Sequence, residues 1–521
     1  MEPVTETSTG SPQVDTGEHW QRLSAISILH FSLGNVKDLA QSALYIIPAL
    51  AVTANVMDNI HGVYGYLILA GIVLTMLVSG VLHFWLYRFR VHAQHVEIKS
   101  GVLSRRHTNL PFWRIQNVKI EQPFYYRPFG YALVILDTAG SAKEEAEIVA
   151  VPLHYAYALK AQVLRQSRDP VPSDSAGQAK TEEALSDDEE VLNRRTIADL
   201  VIHGITNNRV WILLGAAAPF YDSLAGFVGD WLTSHGLSLT QLVDEQTMAW
   251  WQVSLYSLMI ATVVMALLAM ISVGGSLFTF YGYTLSRDGD RYIRRSGLLN
   301  KQEVSMRASR IQLVSAKQDW LDKILKRVNL YFEQNTSGQT HNQELTSPNK
   351  LLVPSVTEAE CAELVSEVLP DNALYNQRYI AISRHYLSHC FLLWVAPTAI
   401  ALTVFAASIM SYKEVVVIVV VSALIMALLV LRWWRWGVAE DDTYVYVRSG
   451  RLGVDYTCFE RAKVQQVVVK QSVFMARKQL ASVQFVLASG TVTVPFLPQT
   501  LAYQLADDTL YTVESTRRSW M

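Results

Sequence analysis

Few residues of this chain have the types and spacing that catalysis requires. The sequence contains no GxxxxGK[ST] phosphate loop, no HExxH zinc motif, no GxSxG nucleophile turn and no GxGxxG dinucleotide motif. Its three cysteines, Cys361, Cys390 and Cys458, are isolated and lack the CxxC spacing of a metal or redox site. We therefore predict no catalytic residues, no metal site and no cofactor.

Ionisable residues inside apolar stretches offer a second kind of chemistry. Asp222 follows Tyr221 and lies close to Pro219, and a charge within a membrane segment is by default a candidate for an ion or substrate path. Pro48 and Pro397 take corresponding places in two other apolar stretches. Because proline removes a backbone donor and kinks a helix, these positions predict either a repeated packing bend or cavity-facing breaks.

Basic residues recur at one predicted strand turn in three places along the chain. An anionic membrane surface attracts a nearby basic side chain by about 1 kcal/mol. The residues are either lipid headgroup contacts or solvated charges on the cytoplasmic side. The eight candidates are Lys99, Arg105, Arg106, Arg294, Arg295, Lys301, Arg448 and Arg451.

These turns belong to a pattern that occurs three times, and a repeat has to be recognised before a fold is assigned. A glycine is followed after 13 residues by a basic residue, and two glutamines then stand six residues apart. Three copies with the same spacings indicate three copies of one domain. The glycines are Gly101, Gly297 and Gly450, the basic residues Arg114, Arg310 and Lys463, and the second glutamines Gln122, Gln318 and Gln471.

Each copy follows a pair of apolar stretches that are long enough to cross a membrane. The connections within the pairs carry a single basic residue, Lys413, whereas the other flanks are rich in arginine. This asymmetry predicts a multi-pass protein of the cytoplasmic membrane with both termini and all three domains in the cytoplasm. The stretches are about 39–57, 63–86, 210–228, 252–273, 388–410 and 414–433.

The soluble copies alternate short strand-like runs with turns and end in a helix after a Val-Pro pair. In copy one, for example, a strand is predicted over 131–137 and the final helix over about 153–165. This pattern predicts a small β-barrel or β-sandwich closed by one helix. Half of the residues are apolar and the net charge is −2, which suits a mixed membrane and soluble chain and gives no argument for nucleic acid. The amphipathic segment before each hairpin is predicted to lie in the membrane interface, with its arginine (Arg22, Arg195 or Arg378) reaching toward lipid headgroups. The alternative is a cytosolic extension of the membrane helix.

The predicted organisation therefore has eleven parts. They are a disordered tail (1–19), an interfacial helix (20–36), a transmembrane hairpin (37–87), a first domain (88–165), an acidic disordered linker (166–193), an interfacial helix (194–208), a second hairpin (209–282), a second domain (283–370), an interfacial helix (371–386), a third hairpin (387–436) and a third domain (437–517).

The repeated pattern resembles the bacterial pleckstrin-homology (PH) domain of the second type. Copy one carries the fullest form, with Arg127-Pro128-Phe129-Gly130, whereas Leu325-Lys326-Arg327 and Ala476-Arg477-Lys478 replace this element in copies two and three. The whole chain, with three hairpins each followed by such a domain, is similar to the YdbT-like membrane proteins. The resemblance implies PH-like domains and a membrane location, and it implies no enzyme activity.

Two functions remain open. In the first, the protein is a non-enzymatic scaffold whose PH-like domains bind proteins and anionic membrane lipids. Its expected partners are a smaller membrane protein with one such domain (YdbS-like) or a second copy of the chain. In the second, the six helices form a conduit that exports a lipid, a peptide or a toxic compound. The lack of a nucleotide motif and of a strongly polar helix stripe favours the scaffold.

Overall fold

The structure is a computed structural model. It describes residues 20–35, 63–92, 94–101, 104–138, 146–166, 189–206, 226, 230, 233–234, 250–334, 350–409 and 412–516.

Each soluble copy consists of a four-stranded antiparallel sheet, a three-stranded antiparallel sheet and a closing helix. In copy one, β1 to β4 form the first sheet and β5 to β7 the second. The elements of copy one are β1 (Gln21–Arg22), α1 (Val63–Leu86), β2 (Arg88–Val91), β3 (His95–Ser100), β4 (Arg106–Pro111), β5 (Ile115–Pro123), β6 (Tyr131–Thr138), β7 (Ala146–Pro152) and α2 (Leu153–Gln166).

Copies two and three repeat this order. Copy two contains β8 (Glu190–Arg194), α3 (Ile197–Thr206), α4 (Trp250–Phe280), β9 (Thr284–Asp288), β10 (Arg291–Ser296), β11 (Asn300–Arg307), β12 (Leu313–Gln318), α5 (Trp320–Ile324), β13 (Arg327–Glu333), β14 (Lys350–Thr357) and α6 (Glu358–Val368). Copy three contains β15 (Ile380–Ala381), α7 (helical segments His385–Cys390 and Ala396–Ile409 around a π-helical turn, Phe391–Val395), α8 (Tyr412–Arg435), β16 (Gly437–Glu440), β17 (Tyr444–Ser449), β18 (Val454–Glu460), β19 (Val464–Lys470), α9 (Val473–Ala476), β20 (Leu480–Leu487), β21 (Gly490–Pro498) and α10 (Gln499–Thr516).

The sheets continue from one copy into the next. The second sheet of copy one joins the first sheet of copy two through β5 and β11, which gives one seven-stranded sheet. The second sheet of copy two joins the first sheet of copy three in the same way, through β12 and β18. The three domains are therefore hydrogen-bonded in series, and a common core surrounds the second junction, where Tyr446 and Cys458 pack with Val314.

The repeated sequence spacings have structural causes. Arg114, Arg310 and Lys463 each end a one-turn 3₁₀ helix at the point where the chain passes from the first sheet to the second. The amide of the second glutamine donates to the carbonyl oxygen nine residues further on, from Gln122 to Tyr131 (3.2 Å), from Gln318 to Arg327 (3.0 Å) and from Gln471 to Leu480 (2.9 Å). The prediction of one fold in three copies is confirmed.

Three of the described helices are long and apolar enough to cross a membrane: Thr262–Phe280, His385–Phe405 and Val415–Arg435. They belong to α4, α7 and α8, and α1 fills the predicted stretch 63–86. The predicted stretches 39–57 and 210–228 lie outside the described residues, apart from an isolated helical residue, 226. The structure thus supports membrane-length helices, and six transmembrane helices remain a prediction.

The segments predicted as interfacial helices begin differently from the prediction. Over 20–36 the chain forms strand β1 before a helix over 27–35, and over 194–208 helix α3 starts only at Ile197. Over 371–386 there is no helix before His385, and β15 lies there instead. Strand β8 also occupies 190–194, at the end of the predicted disordered linker. In each case the strand adds to the edge of a first sheet, because the edge offers unpaired backbone groups.

The prediction that Arg195, at the start of the segment 194–208, reaches toward lipid headgroups is wrong. Arg195 is buried, and its guanidinium donates to both carboxylate oxygens of Glu360 at 3.1 and 2.8 Å. On the same segment, the imidazole Nδ1 of His203 lies 2.8 Å from Asn329 Oδ1. Helix α3 is thus fixed to the second domain by side chains that lie more than a hundred residues away in sequence.

Candidate interaction surfaces

In copies two and three, the turn between the third and fourth strands of the first sheet lies beside the end of an apolar helix. In copy two, the backbone N–H of Gly297 donates to Tyr281 O at the end of α4, and that of Leu298 donates to Phe278 O, both at 2.9 Å. In copy three, the Arg435 guanidinium at the end of α8 donates to Gly453 O. The turns are therefore positioned where the apolar helices end, and they expose Leu298, Leu299 and Leu452.

Glycine is required in these turns. Gly297 has a φ of +117° and Gly450 a φ of +146°. A Cβ at Gly297 would lie 1.9 Å from Asn300 O, and one at Gly450 would lie 2.4 Å from Gly453 O. The backbone folds back on itself too closely for a side chain, which explains why the pattern keeps a glycine here.

Five of the eight predicted lipid contacts are exposed at these turns. They are Lys99, Arg105, Arg106, Lys301 and Arg451. Lys99 also stands over the indole of Trp20, with its Nζ 4.0 Å from the ring centroid.

The other three candidates are buried or half-buried. Arg294 is buried, and this burial lowers the pKa of its guanidinium. Arg295 forms ion pairs with Glu189 and, at 2.9 Å, with Glu303. Arg448 is half-buried and donates to Arg435 O at 3.0 Å. These side chains stabilise the sheets.

The first junction combines strand pairing with an ion pair. Gln122 of β5 lies opposite Lys301 of β11, and Ile120 lies opposite Glu303. Lys160 on α2 forms an ion pair with Glu303, so the closing helix of copy one contacts copy two. Burial would raise the pKa of Glu303, but Lys160 and then Arg295 hold it below its usual range.

The second junction uses the same register. Gln318 of β12 lies opposite Val454 of β18, and Lys317 lies opposite Asp455. Val454 stands four residues after the turn glycine, as Lys301 does at the first junction, and each faces the second glutamine of the preceding copy. The two junctions are therefore equivalent, although most of the paired residue types differ.

Two strand edges that correspond to those at the junctions pair with no other copy among the described residues. One is β4, the counterpart of β11 and β18, and the other is β19, the counterpart of β5 and β12. In β12, Val314 and Ala316 are fully buried by the junction, whereas their counterparts in β19, Val467 and Val469, remain partly exposed.

The two ends differ in chemistry. The outer face of the first sheet in copy one carries Arg90, His95, Glu97 and His107. At the corresponding positions copy three carries Ala439, Tyr444, Tyr446 and Tyr456, which pack against the core of copy two. Among the described residues no other domain covers this face of copy one, and a polar outer face is typical of a terminal repeat that closes an array. The other end, at β19, exposes Gln466 and Lys470 beside the partly exposed Val467 and Val469.

The predicted membrane-path residues are not brought together in the described part of the chain. Pro48, Pro219, Tyr221 and Asp222 lie outside the described residues. Pro397 is the second residue of the α-helical segment that follows the π-helical turn of α7, and it is exposed. A π-helical turn next to proline is a recognised local response to the missing backbone donor.

Three tandem sandwiches, each with an apolar helix before it, define the class of protein: small β domains of the pleckstrin-homology type carried on apolar helices. The family described as bacterial PH domain matches the chain three times, over residues 42–167, 237–363 and 391–511. These matches cover more than half of the chain, and the chain belongs to that family. Its domains are generally non-catalytic binding modules. A comparison with curated proteins finds no match.

Proposed function

We propose that this chain is a non-enzymatic, multi-pass scaffold of the cytoplasmic membrane that binds a further PH-like protein at its C-terminal end. The observation that carries the proposal is the repeated junction. The same edges pair in the same register twice within the chain, and the receiving edge β19 is left unpaired among the described residues. Unpaired strand edges readily accept another strand.

The surface around β19 suits such an addition. Besides the partly exposed valines of this strand, Tyr503 is exposed at the fifth position of α10. Tyr157 holds the fifth position of α2, and its hydroxyl lies 3.5 Å from Glu303 of the next copy. Val473 and Phe474 of α9 are also exposed. The C-terminal end therefore repeats features that bind the following copy at an internal junction.

Charge indicates what kind of strand would bind. The established register places Lys317 opposite Asp455, and the equivalent position in β19 is Lys470. A partner strand with a carboxylate at that place would gain an opposite-charge pair. The chain's own β4 would place Arg106 there, opposite Lys470, and like charges directly opposite destabilise a sheet. The partner is accordingly a different protein with a PH-like first sheet, as expected for a YdbS-like protein, and not a second copy of this chain.

The test is site-specific crosslinking in membranes of the source organism. A photo-crosslinking residue at Gln466, which is exposed on β19, is compared with one at Thr491, which is exposed on β21. The proposal predicts a crosslink from Gln466 to the edge strand of another PH-like protein, identified by mass spectrometry, and none from Thr491. A crosslink from Gln466 to β4 or β19 of a second copy would contradict the choice of partner.

A charge reversal gives a second, independent outcome. Lys470→Glu should reduce recovery of the crosslinked partner at least about tenfold, because a pair of opposite charges becomes a pair of like charges within a closely packed joint. Lys478→Glu is the matched control, since Lys478 is exposed and lies outside β19. Equal recovery with both variants, or a full-length protein that purifies as a bare monomer, would overturn the scaffold proposal and favour the conduit.

The exposed turns support a further part of the proposal, the binding of anionic lipid headgroups. The turns lie where the apolar helices end, and their exposed lysines and arginines would each gain about 1 kcal/mol near an anionic surface. Replacing Arg105 and Arg106 by glutamine should reduce the anionic lipid that copurifies with the protein in native mass spectrometry. Replacing the exposed Arg477 and Lys478, which lie outside the turns, should leave it unchanged. An equal loss in both variants would indicate unspecific charge attraction.

A further inference from the structure

A compact group of imidazoles and one carboxylate lies at the tip of the β2–β3 hairpin. His92, His95 and Glu97 each offer a ligand atom, and these atoms all lie within 4.8 Å of one another. His95 Nε2 lies 3.2 Å from Glu97 Oε1, and the rings of His92 and His95 stack with centroids 4.3 Å apart. The His92 Nε2 atom is buried and has no hydrogen-bond partner.

The two oxygens of Glu97 have different surroundings. Arg90 donates to Oε2 from two nitrogens, at 2.8 and 2.7 Å, and His107 Nε2 lies 3.3 Å from the same oxygen. The other oxygen, Oε1, faces His95. One oxygen of the Glu97 carboxylate, Oε1, is therefore left free of Arg90 and directed at the imidazole of His95.

These distances match the needs of a small divalent ion. Two ligands at about 2.1 Å from a tetrahedral zinc ion stand roughly 3.4 Å apart, close to the separation between His95 and Glu97. Two imidazoles and a carboxylate also form a common ligand set for zinc with a fourth position left to water. Because His92 and His95 are only half-buried, an ion could reach the tip from solvent.

The group is specific to copy one. At the places of His92, His95 and Glu97, copy two has Asp288, Arg291 and Ile293, and copy three has Asp441, Tyr444 and Tyr446. In copy three this face is covered by the core of copy two, whereas in copy one no domain covers it among the residues that the structure describes. A face that only had to be polar would need no more than solvated side chains. Solvation does not explain why an imidazole nitrogen of this group is buried without a hydrogen-bond partner.

We infer that His92, His95 and Glu97 bind one divalent metal ion of the zinc class at the outer end of the domain array. Arg90 positions Glu97 by holding its other oxygen, and His107 completes the surroundings of that carboxylate. The ion would fasten the tip of the β2–β3 hairpin, whose outer face no other domain covers in the described part of the chain.

The test uses the untagged full-length protein in detergent and Co²⁺ as a spectroscopic substitute for Zn²⁺. The inference predicts saturable binding of one tight Co²⁺ per chain, with visible absorption bands of a four- or five-coordinate site, and displacement by Zn²⁺. His92→Gln and His95→Gln should each weaken Co²⁺ binding by at least about tenfold. The matched control is His154→Gln, since His154 is exposed at the start of α2, outside the group.

Correct folding of each variant is checked by its elution volume and its thermal unfolding without metal. Addition of Zn²⁺ should raise the unfolding temperature of the wild type and of His154→Gln, but not that of the two ligand variants. The absence of a tight one-to-one phase would overturn the inference. An equal loss of affinity in the His154 variant would do the same, because binding would then be spread over surface histidines.

Discussion

At the scale of single residues, one buried carboxylate joins a short helix to the strand that follows it. Asp322, in the short helix α5, is buried and accepts hydrogen bonds from Asn329 Nδ2 (3.0 Å) and from the backbone N–H of Asp319 (3.2 Å). Burial raises the pKa of Asp322 to about 6, and its hydrogen bonds, including one from Thr206, offset this only in part.

Asp322 should therefore make the stability of the protein depend on pH. Its pKa is higher in the folded chain than in the unfolded chain, so the folded state gains stability as the pH falls through about 6, and the gain is complete below 3.8. Asp322 should make the free energy of unfolding larger at pH 4 than at pH 7.5 by an amount on the order of 3 kcal/mol. The side chain of Asp322→Asn cannot ionise, so this variant should lack that difference. Thermal unfolding of both proteins across this range measures it. Parallel pH profiles for the two proteins would show that Asp322 has no such role.

The turn glycines allow a second prediction at this scale. Gly297→Ala should destabilise the protein by about 3 kcal/mol or more, because the new Cβ would meet the Asn300 carbonyl oxygen and φ is unfavourable. Gly289→Ala is the matched control: Gly289 also has a positive φ, of +57°, but nothing lies within 4 Å of its Cβ position. It should cost about 1 kcal/mol. Similar unfolding temperatures for the two variants would contradict the steric argument.

At the scale of elements, the strands and closing helices of the domains could be predicted from local pattern, but the joints between the domains could not. The prediction of strand 131–137 agrees closely with β6, and the predicted helix 153–165 agrees with α2. By contrast, β5 pairs with a strand about 180 residues away. Such pairing depends on which strand edges remain unpaired after each domain has folded. The periodicity of a short sequence segment carries no information about that.

The misassigned segments have the same cause. Strands β1, β8 and β15 are two to five residues long, and an apolar stripe follows the first two directly, so a helical pattern dominated the sequence. The prediction for Arg195 is wrong for a similar reason. Its partner, Glu360, follows 165 residues later and cannot be recognised from the local sequence pattern. The repeated distance between the paired glutamines is a local signal of the joint. At both junctions the second glutamine lies opposite the equivalent residue of the next copy.

The second junction provides a prediction about pairing between elements. Lys317→Glu places a carboxylate opposite Asp455, whose pKa burial already raises to about 6, and should therefore loosen the joint. The double variant Lys317→Glu, Asp455→Lys restores opposite charges and should recover about 1 kcal/mol. Cys458 lies in the same strand as Asp455, β18, and its thiol is buried. Opening of the joint should therefore raise the rate at which a maleimide labels Cys458, which mass spectrometry measures.

Lys323→Glu is the control for this experiment, because Lys323 is exposed in the same domain and lies outside the junction. It should leave the labelling of Cys458 unchanged. If the double variant labels as fast as Lys317→Glu alone, the two charges do not interact across the strands.

At the scale of the whole molecule, the distribution of basic residues predicts that the three domains share one side of the membrane. A membrane-impermeant maleimide should label single cysteines in the helix connections from outside, and those in the domains only after permeabilisation. The native cysteines are first replaced by alanine. The sites in the connections are Asn59, Ser234 and Ser411, and those in the domains are Ser104, Ser337 and Ser489. External labelling at Ser489 without labelling at Ser234 would reverse the topology.

The serial joining of the sheets also has a consequence for synthesis on the ribosome. Strand β5 receives its neighbour β11 only after about 180 further residues have been translated, and β12 waits about 140 residues for β18. At bacterial rates of roughly 5–20 residues per second, the first wait lasts roughly 10–40 seconds. During that time a nascent chain carries an open strand edge while its next apolar helices are being synthesised. Because the partner strand belongs to the same chain, it meets the open edge at a high effective concentration once it has been translated.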